Sequence, residues 1–209
     1  MAREFDELNA PEKNNRSAPF DIYFGEMEIT EGQKEKRIAV AEELNELMLF
    51  LFALIATMLE TDSLDRNYAL FQVNQKYLHI VSKYVDVDEY MEDYIKRFSD
   101  TFIQTTFDNI DDLWYLSADR ASFIAENESE TTWNYEEYKQ AIKSGKTKKQ
   151  WDDVRDGKER KTHMEVGGTI IPIEDTFVVG NSLMRYPKDD SMGAEAKEII
   201  NCRCTIKYL

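Results

Sequence analysis

The feature that most constrains the fold of this chain is a change in its sequence pattern at Gly145. Before this residue, apolar side chains recur at spacings of three and four, the period of an amphipathic helix. After it the helical period stops, and glycine and proline residues bound short segments rich in β-branched residues. The sequence therefore predicts an α+β fold with three parts: a flexible N-terminal arm (1–30), a mainly helical domain (31–145) and a small mixed, β-rich C-terminal module (146–209).

The helical domain contains four predicted helices. They run from after Gly32 to about Glu60, from Ser63 to about Tyr84, from Val87 to about Phe107 and from about Ala118 to Ile142. Ser63 is the predicted N-cap of the second helix. The apolar residues predicted on or near one face of that helix are Leu64, Tyr68, Phe71, Leu78 and Val81.

The first helix contains the longest apolar run of the sequence. This run, Leu47 to Leu59, covers 13 residues, whereas a bilayer span needs about 20. The sequence therefore predicts a buried core helix and no membrane span.

The C-terminal module contains three short predicted strands. Two of them, Thr169 to Ile173 and Thr176 to Val179, are bounded by turn residues. The third consists of Ile199-Ile200 and Thr205 to Tyr208, interrupted or preceded by Asn201 to Cys204. A single helical turn is predicted from Ala194 to Glu198. The pair Gly167-Gly168 precedes the first strand and predicts a hairpin turn.

Charge is distributed unevenly along the chain. Residues 1–142 carry 13 Lys and Arg against 30 Asp and Glu, whereas residues 143–209 carry 13 against 11. The acidic part disfavours contact with nucleic acid through phosphate. The basic excess is concentrated in residues 143–161, which predicts either a solvated face or a contact with packaged DNA. The candidate phosphate contacts are Lys146, Lys148, Lys149 and Arg155.

Two cysteines, Cys202 and Cys204, lie near the C-terminus and cannot form a disulfide framework, which indicates a reducing compartment. Together with His163 they offer three ligands suited to Zn²⁺. Asp189 or Glu198 is the candidate fourth ligand. The alternative is that both thiols pack as small apolar groups beside a hydrogen-bonded His163, and no other cofactor is expected.

The C-terminal module carries an ordered set of residues: a tryptophan, an Arg-x-x-His, a glycine turn, a proline and a phenylalanine, a Pro-x-Asp and a terminal Asn-Cys-Arg-Cys. In this sequence they are Trp151, Arg160, His163, Gly168, Pro172, Phe177, Pro187, Asp189, Asn201, Cys202, Arg203 and Cys204. This order resembles the phage head morphogenesis family, also called the Mu F-like or minor capsid protein family. The resemblance spans about residues 117–207.

The resemblance implies a minor structural protein of a tailed-bacteriophage head and not an enzyme. Its expected partners are the phage portal protein and other head proteins, with packaged DNA as a further partner. The expected location is inside the capsid near the portal vertex, reached from the host cytoplasm during assembly. The expected role is head assembly or the packaging and ejection of DNA.

An enzymatic alternative comes from the same residues. His163 is a candidate general acid or base, and Arg160 or Arg203 could hold a phosphate group. This alternative is a nuclease or toxin-like enzyme carried in the virion, centred on His163 with Cys202 and Cys204. It would require both a catalytic geometry and a perturbed pKa.

Overall fold

The computed structural model describes residues 20–209, so the first 19 residues of the predicted arm lie outside the described part of the chain. The helical elements are α1 (Phe20–Gly25), α2 (Glu31–Glu60), α3 (Arg66–Ser82), α4 (Glu89–Asp108), a 3-10 turn (Leu113–Leu116), α5 (Ala118–Lys143), α6 (Lys161–Val166) and α7 (Ala196–Ile199). The strands are β1 (Lys148–Asp152), β2 (Ile170–Pro172), β3 (Phe177–Val179), β4 (Ser182–Met184) and β5 (Thr205–Tyr208). The predicted α+β class, with helices first and a small sheet-containing region last, is confirmed.

Helix α1 lies where the sequence predicted part of a flexible arm. Phe24 is fully buried, and α1 packs against α2. Helix α2 begins with a capping box, in which Thr30 Oγ1 accepts a hydrogen bond from Gln33 N and Gln33 Oε1 accepts one from Thr30 N. Within residues 20–209, no helix, α2 included, combines the length and apolar character needed to cross a membrane.

Helix α3 differs from its prediction in both its start and its buried face. Its N-cap is Asp65, whose carboxylate accepts a hydrogen bond from Tyr68 N at 2.9 Å, and not Ser63. The buried face, at spacings of three and four, comprises Ala69, Val73, Tyr77 and Ile80. Of the residues predicted on or near one face, Val81 is buried, whereas Leu64, Tyr68 and Phe71 are exposed. Small Ala69 and Val73 let α3 pack closely against α2 and α4.

Helix α5 is the central helix of the described structure. It packs along α2 and against β5, and every side chain from Asn127 to Glu136 is buried. Much of this interior is polar, and it is tied to α2 by hydrogen bonds: Trp133 Nε1 donates to Lys36 O, and Ser129 Oγ donates to Arg37 O. The Arg37 guanidinium is buried and pairs with Glu137 at 2.8 Å.

The C-terminal module contains two small antiparallel sheets. In the first, β1 is the central strand, flanked by β2 and β5; in the second, β3 and β4 form a hairpin. Strands β2, β3 and β5 fall inside the three predicted segments, whereas β1 and β4 were not predicted. The prediction of a strand at Ile199-Ile200 is wrong, because Ile199 ends α7 and Ile200 is its C-cap. The glycine pair does not form the predicted hairpin turn, because Gly167 caps α6 and Gly168 N donates to Trp151 O.

Two apolar cores are present. The larger one is formed by the helices, but Ile173 and Tyr186 of the module also belong to it. The smaller one lies inside the module, around Trp151 and the two cysteines. The module is therefore packed directly onto the helices, and both α5 and α4 contact it.

Candidate functional site

The small core brings together several of the residues that carry the sequence resemblance. Trp151 on β1 is fully buried and meets Phe177 on β3 edge-on, with ring centroids 5.2 Å apart. The same indole meets the His163 ring edge-on at 5.8 Å. Cys202 and Cys204 complete this core. Residues separated by up to 53 positions in the sequence thus form one packed unit.

His163, Cys202 and Cys204, referred to below as the His–Cys–Cys cluster, converge at the centre of this unit. The His163 Nδ1 atom lies 3.4 Å from Cys204 Sγ and 3.5 Å from Cys202 Sγ. All three residues are buried, and one ligand atom from each lies within 4.8 Å of the others. Helix α6 supplies the histidine, and the segment leading into β5 supplies both cysteines.

Glu198 holds the other nitrogen of the imidazole. Its Oε2 lies 3.1 Å from His163 Nε2 and also accepts a hydrogen bond from Thr162 Oγ1 at 2.8 Å. Gly180, at φ +58°, makes room for this carboxylate, because a Cβ atom there would lie 2.8 Å from Glu198 Oε1. Among the described residues, neither Glu198 nor Asp189 joins the group of ligand atoms. Asp189 instead accepts hydrogen bonds from Arg185 and Ser191.

The cluster favours one negative sulfur atom. A hydrogen bond from Cys204 lowers the pKa of Cys202, helped by His163 and opposed by burial. The same hydrogen bond, together with burial, raises the pKa of Cys204. Burial lowers the pKa of His163, but the neighbouring Cys202 outweighs it and the net shift is upward. Both sulfurs are free thiols and not a disulfide.

A polar cavity of about 120 Å³ adjoins the cluster. It is lined by the cluster and by Val154, Lys158, Glu159, Arg160, Asn201 and Arg203. The two arginines considered for a phosphate contact are both engaged within the protein. Arg160 donates to Ile200 O, while Arg203 pairs with Glu26 at 2.6 Å and with Asp156 at 2.8 Å.

The Asn-Cys-Arg-Cys segment owes its shape to a contact with α5. Asn201 adopts φ +54°, a left-handed conformation that Asn tolerates better than most residues. Its backbone N donates to Asn127 Oδ1 at 2.7 Å, and the same oxygen accepts a hydrogen bond from Lys188 Nζ. After this turn Cys202 and Cys204 point inward, while Arg203 lies nearer the surface.

The other motif residues support the module without joining the cluster. Pro172 pairs with Lys148 at the end of β2. Pro187 is buried, and its carbonyl accepts a hydrogen bond from Asn134 Nδ2 at 3.1 Å. The turn from Tyr186 to Asp189 thereby rests on α5.

The four candidate phosphate contacts do not share one environment. Lys146, Lys148 and Arg155 are exposed. Lys149 is fully buried, with its ammonium over the rings of Tyr138 and Phe177, and burial lowers its pKa to about 8. Its side chain is therefore part of the interior, and DNA contact by the other three stays a prediction.

Sequence reasoning missed the polar residues that join the module to the helices. Asn127, Glu128 and Glu130 on α5 and Lys188 on the module are all buried. Glu128 Oε2 accepts hydrogen bonds from Tyr77 and Tyr94 at 2.8 and 2.9 Å. Their polar character predicts exposure. Only the length of α5, which is typical of a helix at the centre of a fold, could have indicated that they are buried.

The fold and the site define an α+β protein whose helical part is closed by a small module built around a buried His–Cys–Cys cluster. A family model described as Phage Mu protein F like protein matches residues 89–207, more than half of the chain. The chain therefore belongs to the phage Mu protein F-like family, and the resemblance predicted from its motifs is confirmed. The match begins at α4, about 30 residues before the predicted start. No curated protein and no solved structure matches the chain.

Proposed function

We propose that this chain is a minor structural protein of a tailed-bacteriophage head, docked on the portal protein and touching other head proteins. It acts by binding, without enzymatic turnover, in head assembly or in the packaging and ejection of DNA. Its place is inside the capsid near the portal vertex, after assembly in the host cytoplasm. The family match carries this proposal, because it runs from the first residue of α4 into β5 and the family suggests head morphogenesis.

We assign the portal contact to an exposed apolar stripe at the start of α3, formed by Leu64 just before the helix and by Tyr68 and Phe71 within it, and called the α3 stripe below. These side chains are 45%, 46% and 59% exposed. Tyr68 and Phe71, three residues apart, lie on the same face of the helix. Contiguous exposed apolar surface on a soluble protein commonly marks a site that a partner covers.

The position of the α3 stripe fits a contact that is particular to this protein. Helix α3 precedes residues 89–207, so it lies outside the segment that matches the family model. The helix itself carries Arg66 and Lys76 and no acidic residue, so apolar burial and not the acidic charge of residues 1–142 is expected to drive the contact.

The test is a binding measurement between the full chain and the portal protein of the same phage. Phe71→Asp should raise the dissociation constant at least ~10-fold, because a charge would be buried in the apolar contact. Val178→Asp is the matched control, since Val178 is 65% exposed on the distant hairpin strand β3. It should bind like the wild type.

Circular dichroism first establishes that both variants are folded, as their exposed positions predict. Equal binding of the portal by the two variants would show that the α3 stripe is not the contact surface, while the portal would remain the partner. A wild-type chain that binds neither the portal nor assembled heads would contradict the proposed function itself. Nucleic-acid cleavage lost on His163→Ala would then favour the enzymatic alternative.

A further inference from the structure

We propose that the His–Cys–Cys cluster is a zinc site, with His163 Nδ1, Cys202 Sγ and Cys204 Sγ as ligands. This inference goes beyond the proposed function and does not depend on it. Among the common divalent ions, Zn²⁺ is well suited to a ligand set of two thiolates and one imidazole.

The spacing of the ligand atoms is close to that of a tetrahedral metal centre. Zn–N and Zn–S bonds of about 2.0 and 2.3 Å at the tetrahedral angle place nitrogen and sulfur about 3.5 Å apart and two sulfurs about 3.8 Å apart. The two separations from His163 Nδ1 are 3.4 Å to Cys204 and 3.5 Å to Cys202, and all three ligand atoms lie within 4.8 Å of one another. Both nitrogen–sulfur separations therefore already suit a bound zinc ion.

Glu198 accepts a hydrogen bond from His163 Nε2, so the other ring nitrogen, Nδ1, faces both sulfur atoms. A metal ion accepts electron pairs from Nδ1 and from both sulfurs together once their protons are released.

Glu198 has the position of a supporting carboxylate in a zinc–histidine–carboxylate arrangement. Such a partner orients the ring and makes the ligating nitrogen more basic. Glu198 is 2% exposed and is itself fixed by Thr162 and by the space above Gly180. A buried carboxylate held in this way serves a metal ligand better than it serves ordinary core packing.

The three ligands line the polar cavity of about 120 Å³. A water molecule occupies about 30 Å³ in the liquid, so the cavity has room for a water as the fourth ligand. The metal would join α6 to the segment before β5. His163 is 39 residues from Cys202 and 41 residues from Cys204 in the sequence.

The first test is metal content by plasma mass spectrometry of the full chain, purified under reducing conditions without a polyhistidine tag or chelator. We expect about one zinc per chain. Cys202→Ser and His163→Ala should lose it, while His79→Ala should retain it, because His79 is exposed on α3 and far from the cluster in sequence. Cobalt loaded in place of zinc should give thiolate-to-metal charge-transfer absorption and tetrahedral visible bands.

Glu198→Gln keeps all three ligands and guards against loss of folding as the explanation. Chelator competition should show zinc affinity weaker by roughly 10- to 100-fold in this variant. Wild-type protein with two titratable thiols and no zinc, even after zinc is added, would overturn the proposal. So would zinc that binds equally well to wild type and Cys202→Ser.

Discussion

Glu128 sets the properties of the junction between the helices and the module. Its carboxyl group is buried, and burial raises its pKa to about 7, although hydrogen bonds from Tyr77 and Tyr94 act in the opposite direction. Lys188 also lowers this pKa, and Asp190 raises it. The neutral form of Glu128 is therefore favoured in the folded protein.

This raised pKa predicts a loss of stability with rising pH. A carboxyl group whose pKa is higher in the folded state contributes fully below its ordinary value of 4.5, and that contribution is lost as pH rises through about 7. The shift corresponds to about 3 kcal/mol. Glu128→Gln retains an oxygen for both tyrosines and cannot ionise, so it should match wild type near pH 4.5 and exceed it above pH 7.

Urea unfolding of both proteins at several pH values measures this difference directly. Burial also raises the pKa of Glu130, to about 8. Because Glu130 is present in both proteins, its contribution to the pH dependence largely cancels in their difference. A constant difference between the two proteins across this range would show that Glu128 does not titrate in the interior.

At the residue scale, sequence reasoning predicted that Cys202, Cys204 and His163 lie together but not how their surroundings hold them. Residue types and the spacing of Cys202 and Cys204 were enough to associate them with His163. The place of Glu198 beside Nε2 depends on contacts of α7 with α6 and with Gly180 after β3, which no local pattern reveals. Lys149 is buried although lysine is normally a surface residue, because two aromatic rings cover its ammonium group.

At the element scale, α3 shows why helix existence was easier to predict than helix orientation. Its sequence carries two apolar faces, and periodicity alone cannot select the one that packs. The face with Ala69 and Val73 packs, whereas the face with Tyr68 and Phe71 is exposed. The bulky aromatic residues therefore remain available for a partner.

The start of α3 can be tested by a matched pair of substitutions. Asp65→Ala should lower the free energy of unfolding by about 1 kcal/mol, because Tyr68 N loses its acceptor. Ser63→Ala should change it by less than about 0.5 kcal/mol, since Ser63 caps no helix and its hydroxyl bonds only to Thr61 within the described chain. Thermal or urea unfolding gives both values, and the reverse order would restore Ser63 as the cap.

The strands were predicted less completely than the helices. Strands β2 and β3 have the β-branched and aromatic residues typical of a strand. Strand β1 has the sequence Lys-Lys-Gln-Trp-Asp, and it becomes a strand because β2 and β5 pair with it on both sides. Pairing partners so distant in sequence are absent from any local pattern.

At the scale of the whole molecule, the chain joins an acidic helical part to a module that is close to electrically neutral. The family match covers α4, α5 and the module, while α2 and α3 lie before it. We therefore expect a common structural role for the C-terminal part and propose that α3 determines partner choice. The sequence motifs were sufficient to predict the family, whereas the exposed face of α3 is visible only in the structure.

The composition of purified phage heads tests most directly whether this chain is a head protein that depends on the portal. Quantitative mass spectrometry would compare heads assembled with and without the portal protein. We expect this chain to be present in a small number of copies per portal and to be missing from heads that lack the portal. A chain that is absent from all heads, or present at the same level without the portal, would contradict this expectation.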